Sequence, residues 1–270
     1  MGAHDTLRPN ATTDRLSQHI NQLSYQLGSD GQLYEDDNGA LYFGVSGRYG
    51  TADSHVAPAF GHGSIDTSPW RLQGSMNWYG DDGFYVDAQT QASLYHNDLF
   101  SKTTNSGIAS DVHGSGYAAS LEAGRQFDIN ETWSLTPQAQ LAWSKVSFSD
   151  FTDAYQSRVS GKGDNSLRLR LGLGADYRNA WTTVAGTPIK ADLYGIANLY
   201  QDFAGDGAIA VSDVALKIRN DRTWGGIGFG GTFAWDNQYA LYRQGSVNSS
   251  LNHFGSSTAI AGTIGFRKWW

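Results

Sequence analysis

Apolar and polar positions alternate with a period of two in segment after segment of this chain, and a 3.6-residue period is sustained almost nowhere. From Phe84 the even positions are Phe84, Val86, Ala88, Thr90, Ala92 and Leu94, against Tyr85, Asp87, Gln89, Gln91, Ser93 and Tyr95 at the odd ones. From Trp133 the split is Trp133, Leu135, Pro137, Ala139, Leu141 and Trp143 against Ser134, Thr136, Gln138, Gln140, Ala142 and Ser144. Between residues 167 and 177 four leucines, Ala175 and Tyr177 face Arg168, Arg170, Gly172, Gly174 and Asp176. Successive side chains of a strand point to opposite faces, so each segment predicts a two-faced strand. Further strands are expected at 23–33, 41–50, 70–79, 117–127, 189–200, 224–235, 239–247 and 259–270, which makes eleven visible strands of about ten residues. Soluble sheets favour five or six residues per strand, whereas a tilted bilayer crossing needs about ten.

The polar faces collect Arg48, Arg71, Asp87, Glu122, Arg168, Arg170, Asp176, Lys190 and Asp192. A dry interior could hold these mixed charges only at large desolvation cost, but a water-filled lumen holds them freely. The opposite faces are aliphatic in their middles and aromatic towards their ends, with Trp70, Trp78, Trp133, Trp143, Trp235 and Trp270 as candidate girdle residues at two membrane interfaces. Short links (35–39, 80–83, 128–132, 178–187, 236–238) alternate with long polar ones (51–68, 100–114, 148–165, 201–223), and 248–258 falls on the long side by parity. Short periplasmic turns and long outer loops are the rhythm of an up-and-down barrel in a bacterial outer membrane.

Composition narrows the field. The chain has 270 residues, no cysteine, 33 glycines, 5 prolines, 13% aromatics and a formal charge of -7. Glycine shows no three-residue period, which excludes collagen; the absence of cysteine excludes a disulfide-stapled miniprotein. The low charge fraction and high aromatic content argue against disorder, and without a basic run nucleic acid is not an expected partner. No apolar stretch is long enough for a membrane-spanning helix. The mean hydropathy of -0.43 would suit an aqueous protein, yet a barrel meets lipid with only every second residue of its strands. Residues 1–15 are polar, contain Pro9 and lack the basic-then-apolar form of a signal peptide, so the chain reads as a mature fragment with an added start at Met1, Gly2 and Ala3.

Several blocks resemble the C-terminal translocator domain of autotransporters, the type V secretion proteins of Gram-negative bacteria. They are Asn38-Gly-Ala-Leu-Tyr-Phe-Gly-Val45, Trp78-Tyr-Gly-Asp-Asp-Gly-Phe-Tyr-Val-Asp87, Gly116-Tyr-Ala-Ala-Ser-Leu-Glu-Ala-Gly124, Trp133-Ser-Leu-Thr-Pro-Gln-Ala-Gln-Leu141 and Ser166-Leu-Arg-Leu-Arg-Leu-Gly172. The resemblance covers residues 16–270 and implies an all-β, transmembrane, antiparallel barrel of twelve strands. In that family an N-terminal helix or linker crosses the interior, and the barrel assists export of an upstream passenger to the cell surface. It also implies, as partners, outer-membrane lipid, the β-barrel assembly machinery and the chain's own passenger or linker. The family's terminal assembly signal is similar to Thr263, Gly265, Phe266 and Trp270, with Ile264 on the same face as Phe266; Lys268 departs from it. An exposed terminal edge can be read by β-augmentation. Parity requires an ascending strand before residue 23. Residues 1–14 lack the family's Trp-containing first-strand motif and its preceding helix, so either residues 6–15 supply an irregular strand or the strand lies upstream of the chain.

The sequence nominates no catalytic residue, cofactor or metal-ligand set. No His-Glu-x-x-His and no Gly-x-Ser-x-Gly occurs, and Gly161-Lys-Gly163 lacks the upstream glycine of a phosphate-binding loop. Gly226-Ile-Gly228-Phe-Gly-Gly231 matches a dinucleotide pattern but is followed by more strand, so these glycines are expected where a neighbouring side chain packs against a thin spot of backbone. Histidines 4, 19, 55, 62, 96, 113 and 253 fall mostly in links or at strand ends, and only His55 with His62 invites a metal reading. Self-cleavage of a passenger, known in some autotransporters, would need an Asn-Asn pair that the N-terminal segment lacks; Asp87 or Glu122 would be its lumen acids. Two alternatives stand beside the translocator: a free-standing porin or adhesin barrel, and a soluble β-rich carbohydrate-binding domain or hydrolase. For the latter, Asp36–Asp37 and Asp81–Asp82 are adjacent turn residues pointing apart, a poor glycosidase pair.

Overall fold

The computed structural model describes residues 2–7, 17–57, 61–204, 207–211, 214–218, 221–252 and 257–269, and none of them is helical. Twelve strands form one wall: β1 (Gly2–Leu7), β2 (Ser17–Asp36), β3 (Gly39–Ala57), β4 (Gly63–Gly80), β5 (Phe84–Ser101), β6 (Ser106–Arg125), β7 (Trp133–Phe148), β8 (Asp164–Thr182), β9 (Pro188–Ala204), β10 (Thr223–Trp235), β11 (Tyr239–Ser250) and β12 (Thr258–Lys268). Each pairs antiparallel with its chain neighbours, and β1 pairs with β12, so the sheet closes into a barrel. Closure removes the free edges that an open sheet of this size would expose.

No dry core lies inside this wall. Among the described residues only Val112 and Ala240 are buried hydrophobics, while Leu27, Leu72, Leu121, Phe229 and Ile264 stand more than half exposed. The apolar rows therefore do not meet one another across an interior, as they would in a β-sandwich, and the soluble alternative falls. Arg243 interrupts the outer face of β11, level with Gly231 and Ile264. Its long stem allows the guanidinium to snorkel towards an interface.

Five tight connections lie at one end of the barrel, between β2 and β3, β4 and β5, β6 and β7, β8 and β9, and β10 and β11. At the other end the strands run on well past their expected limits. The link expected at 51–68 is mostly ladder, paired from Ala52↔Thr67 to Val56↔Gly63, and β5 and β6 stay paired as far as Ser101↔Ser106. Beyond the membrane both faces of a hairpin meet water, so alternation fades while backbone pairing continues. The links at 148–165 and 201–223 hold four short strands, Phe151–Thr152, Arg158–Lys162, Gly207–Val211 and Val214–Ile218, which form a second sheet.

The first strand is also displaced from its expected place. It occupies Gly2–Leu7 rather than 6–15, and most of the segment 6–15 lies outside the described residues. Sequence pattern could not find it, because Gly2, Ala3, His4, Asp5 and Thr6 carry no apolar alternation. β1 pairs with β12 from Thr6↔Thr258 to Gly2↔Gly262. An ion pair joins Arg267 of β12 to Asp30 of β2. The N-terminal helix expected to cross the interior is not found among the described residues.

Candidate functional site: the polar lumen

Ladder register fixes which side chains share a face. Arg48 stands opposite Arg71, Asp87 opposite Glu122, Arg168 opposite Asp202, Asp176 opposite Ser134, Lys190 opposite Ala234 and Asp192 opposite Arg178. By this register the nine charged positions share the face on which Arg170 meets Glu122, and Trp70, Trp78, Trp133, Trp143 and Trp235 share the other.

The lumen charges are tied into a transverse network. Arg170 forms an ion pair with Glu122, and both side chains are about 15% exposed. The Arg170 guanidinium also donates to Asn198 Oδ1 (3.2 Å) and Gln138 Oε1 (3.1 Å), while Tyr85 Oη donates to Glu122 Oε1 (2.8 Å). Arg168 meets Asp202 through a two-pronged contact at 2.5 and 2.8 Å, and Asp87 accepts from Asn77 and from Gln89 (2.9 Å). Paired, hydrogen-bonded charges of this kind tolerate partial desolvation. Among the described residues, the buried Nε atoms of Arg71 and Arg170 have no hydrogen-bond partner. Sequence reading found the formal charges but missed their neutral partners Tyr85, Gln138 and Asn198, which only cross-strand and cross-lumen geometry joins to them.

Outside, aromatic rings cluster at two levels. Near the tight turns lie Trp78 with Phe84 (centroids 6.2 Å apart), Trp133 with Tyr177 (5.2 Å), and Trp235 with Tyr239 (5.8 Å) and Phe266 (6.3 Å). Towards the other end Trp70 lies 4.5 Å from Tyr49 with the ring planes tilted by 41°, and Trp143 is exposed. The eight-residue step from Trp70 to Trp78 covers about 26 Å along a strand, which strand tilt reduces to somewhat less than that across a bilayer.

The residues of the suspected terminal signal divide between the faces. Phe266 enters the outer aromatic cluster, Thr263 and Gly265 face the lumen opposite Gln244 and Tyr242, and Trp270 lies outside the described residues. Lys268 sits 5.8 Å above the Tyr239 ring, so the departure from the apolar pattern has a cation–π partner at the interface. Gly265 has a packing role of its own, since a Cβ there would fall 2.0 Å from the Tyr242 ring. The dinucleotide-like glycines behave similarly: Gly230 lies beneath the Tyr194 ring, where a Cβ would come within 2.7 Å. His55 is not in a loop but in β3, opposite His19 and Ser64, whereas His62 lies in the turn before β4.

A closed antiparallel wall with a wet charged lumen, an apolar exterior and two aromatic levels defines a transmembrane β-barrel of the outer-membrane type. Comparison with known proteins refines that class. The sequence model described as autotransporter beta-domain matches residues 2–246. The adhesin BmaC autotransporter of Brucella suis is 39% identical over 99% of this chain, and the pertactin autotransporter of Bordetella bronchiseptica is 32% identical over 67%. This chain spans only 8% of the first protein and 20% of the second. Among solved structures, the transport unit of AIDA-I from Escherichia coli superposes with a TM-score of 0.81 at 16% identity, covering 100% of this chain and 88% of that one. The beta domain of Bordetella BrkA gives 0.66 at 20% identity, with 100% and 98% covered. The chain belongs to the autotransporter β-domain family and is an outer-membrane β-barrel.

Proposed function

We propose that this barrel, acting without catalysis of its own, assists export of a passenger joined upstream of residue 1 and encloses part of that passing chain. The observation that carries the reading is the lumen: a closed, hydrated passage lined by paired charges, in a family whose relatives extend far beyond the barrel. Arg48 and Arg71 face each other across one rung, with Arg71 Nε lacking a partner, so an acidic side chain of the enclosed segment has a site to enter. Thr263, Gly265, Phe266 and Trp270 supply the side-chain pattern by which the assembly machinery reads the terminal strand β12. The aromatic levels and the aliphatic belt between them serve the lipid.

The test is surface display of an epitope-tagged passenger from the full-length gene. External protease should release the tag from cells carrying the intact barrel. Deleting residues 266–270, or exchanging Trp270 for Asp, should abolish both release and the heat-modifiable barrel in outer-membrane fractions. Undiminished barrel in those variants would remove the signal. A steady open channel with no dependence of display on the barrel would favour a free-standing porin.

A further inference from the structure

We propose that the outer rim of the β5–β6 hairpin carries a binding site for a first-row transition-metal dication, with Zn²⁺ as the ion it suits best, formed by His96, His113 and Asp111. His96 and His113 are directly opposed in the ladder, their rings 4.9 Å apart and nearly perpendicular. Asp111 lies 3.5 Å from His113 Nε2, and one ligand atom from each of the three residues lies within 4.8 Å of the others. Zinc bonds of about 2.1 Å place tetrahedral ligands about 3.4 Å apart, so side-chain rotations of roughly an ångström would close the set.

The local backbone fixes this arrangement. The ladder slips between Asn97 and Leu99, and Asp111 adopts φ 56°, an uncommon conformation for a non-glycine residue. Its N–H donates to Asp98 Oδ1 at 2.9 Å. Asn97, buried between the two histidine-bearing strands, donates to Val112 O (2.8 Å) and accepts from Thr67 Oγ1 (2.8 Å), while His113 O accepts from Ser149 N (2.9 Å). The ligands thus sit on braced backbone rather than on a free loop. They lie on the outer face one step beyond Leu94, which pairs with Trp70, so the site stands at the outer aromatic level, where water has access.

Donor chemistry chooses the ion. Two imidazoles and one carboxylate suit Zn²⁺, Cu²⁺ or Ni²⁺, whereas Ca²⁺ and Mg²⁺ require mostly oxygen ligands. Three protein ligands leave a position for water, and the bound ion would staple β5 to β6 at the rim.

Isothermal titration of the folded barrel in detergent with ZnCl₂ should give one ion per chain, undisturbed by millimolar Mg²⁺. That binding should disappear in H96A and in H113A and weaken about tenfold or more in D111N, each variant first shown to be heat-modifiable. The second histidine group on the outer face, His4 stacked 6.2 Å from His19, supplies the control: H19A should keep the site. No binding by the parent barrel, retention in H96A and H113A, or loss in H19A instead would each overturn the assignment.

Discussion

Arg170 shows how a single lumen side chain can hold several strands at once. It sits on β8, pairs with Glu122 on β6, and reaches Gln138 on β7 and Asn198 on β9. Removing it leaves the Glu122 carboxylate, itself only 14% exposed, without its counter-charge. R170A is expected to lower stability by ~2–3 kcal/mol, less than a fully dry pair would lose because water can enter the lumen. Urea unfolding in detergent, followed by tryptophan fluorescence, measures the effect. The double variant E122Q/R170Q should regain much of the loss, since it strands no charge; a double variant worse than R170A would mean that the network is not organised around this pair.

At the scale of the strand, the two faces should respond oppositely to the same substitution. Leu121 and Gln140 occupy neighbouring strands in the middle of the wall, Leu121 outward and Gln140 inward. An arginine at the bilayer midplane costs about 2–4 kcal/mol, whereas an inward one adds a solvated charge. L121R should therefore reduce the fraction of folded, heat-modifiable barrel in lipid vesicles, and Q140R, inward but opposite both Glu122 and Arg170, should reduce it much less. Equal losses in both would contradict the facing assigned by the ladder. The same strand logic explains the missed outer hairpins: alternation reports a difference between two environments and vanishes where both are water, although β3–β4 and β5–β6 remain paired there.

For the whole molecule, the decisive contact is the one between its first and last strands. Ala3 on β1 stands opposite Ala261 on β12, and the chain contains no cysteine of its own. An A3C/A261C pair should form a disulfide on oxidation of the folded barrel and not of the urea-unfolded chain, read as a mobility change on non-reducing gels. Failure to cross-link in the folded state would mean that β1 does not close the wall. Arg267 with Asp30 adds an exposed ion pair of modest strength between β12 and β2.

Alternation alone determined that this chain would make long strands with one apolar and one charged face, because a strand turns successive side chains to opposite sides. The resemblance of its blocks added the family. What pattern could not reach was everything set by non-local pairing: the first strand without an apolar signature, the neutral partners around Arg170, the sheet joining two outer links, and the His96–Asp111–His113 group. Those depend on which strands lie side by side and in what register, and backbone hydrogen bonds around a closed ring decide that for the molecule as a whole.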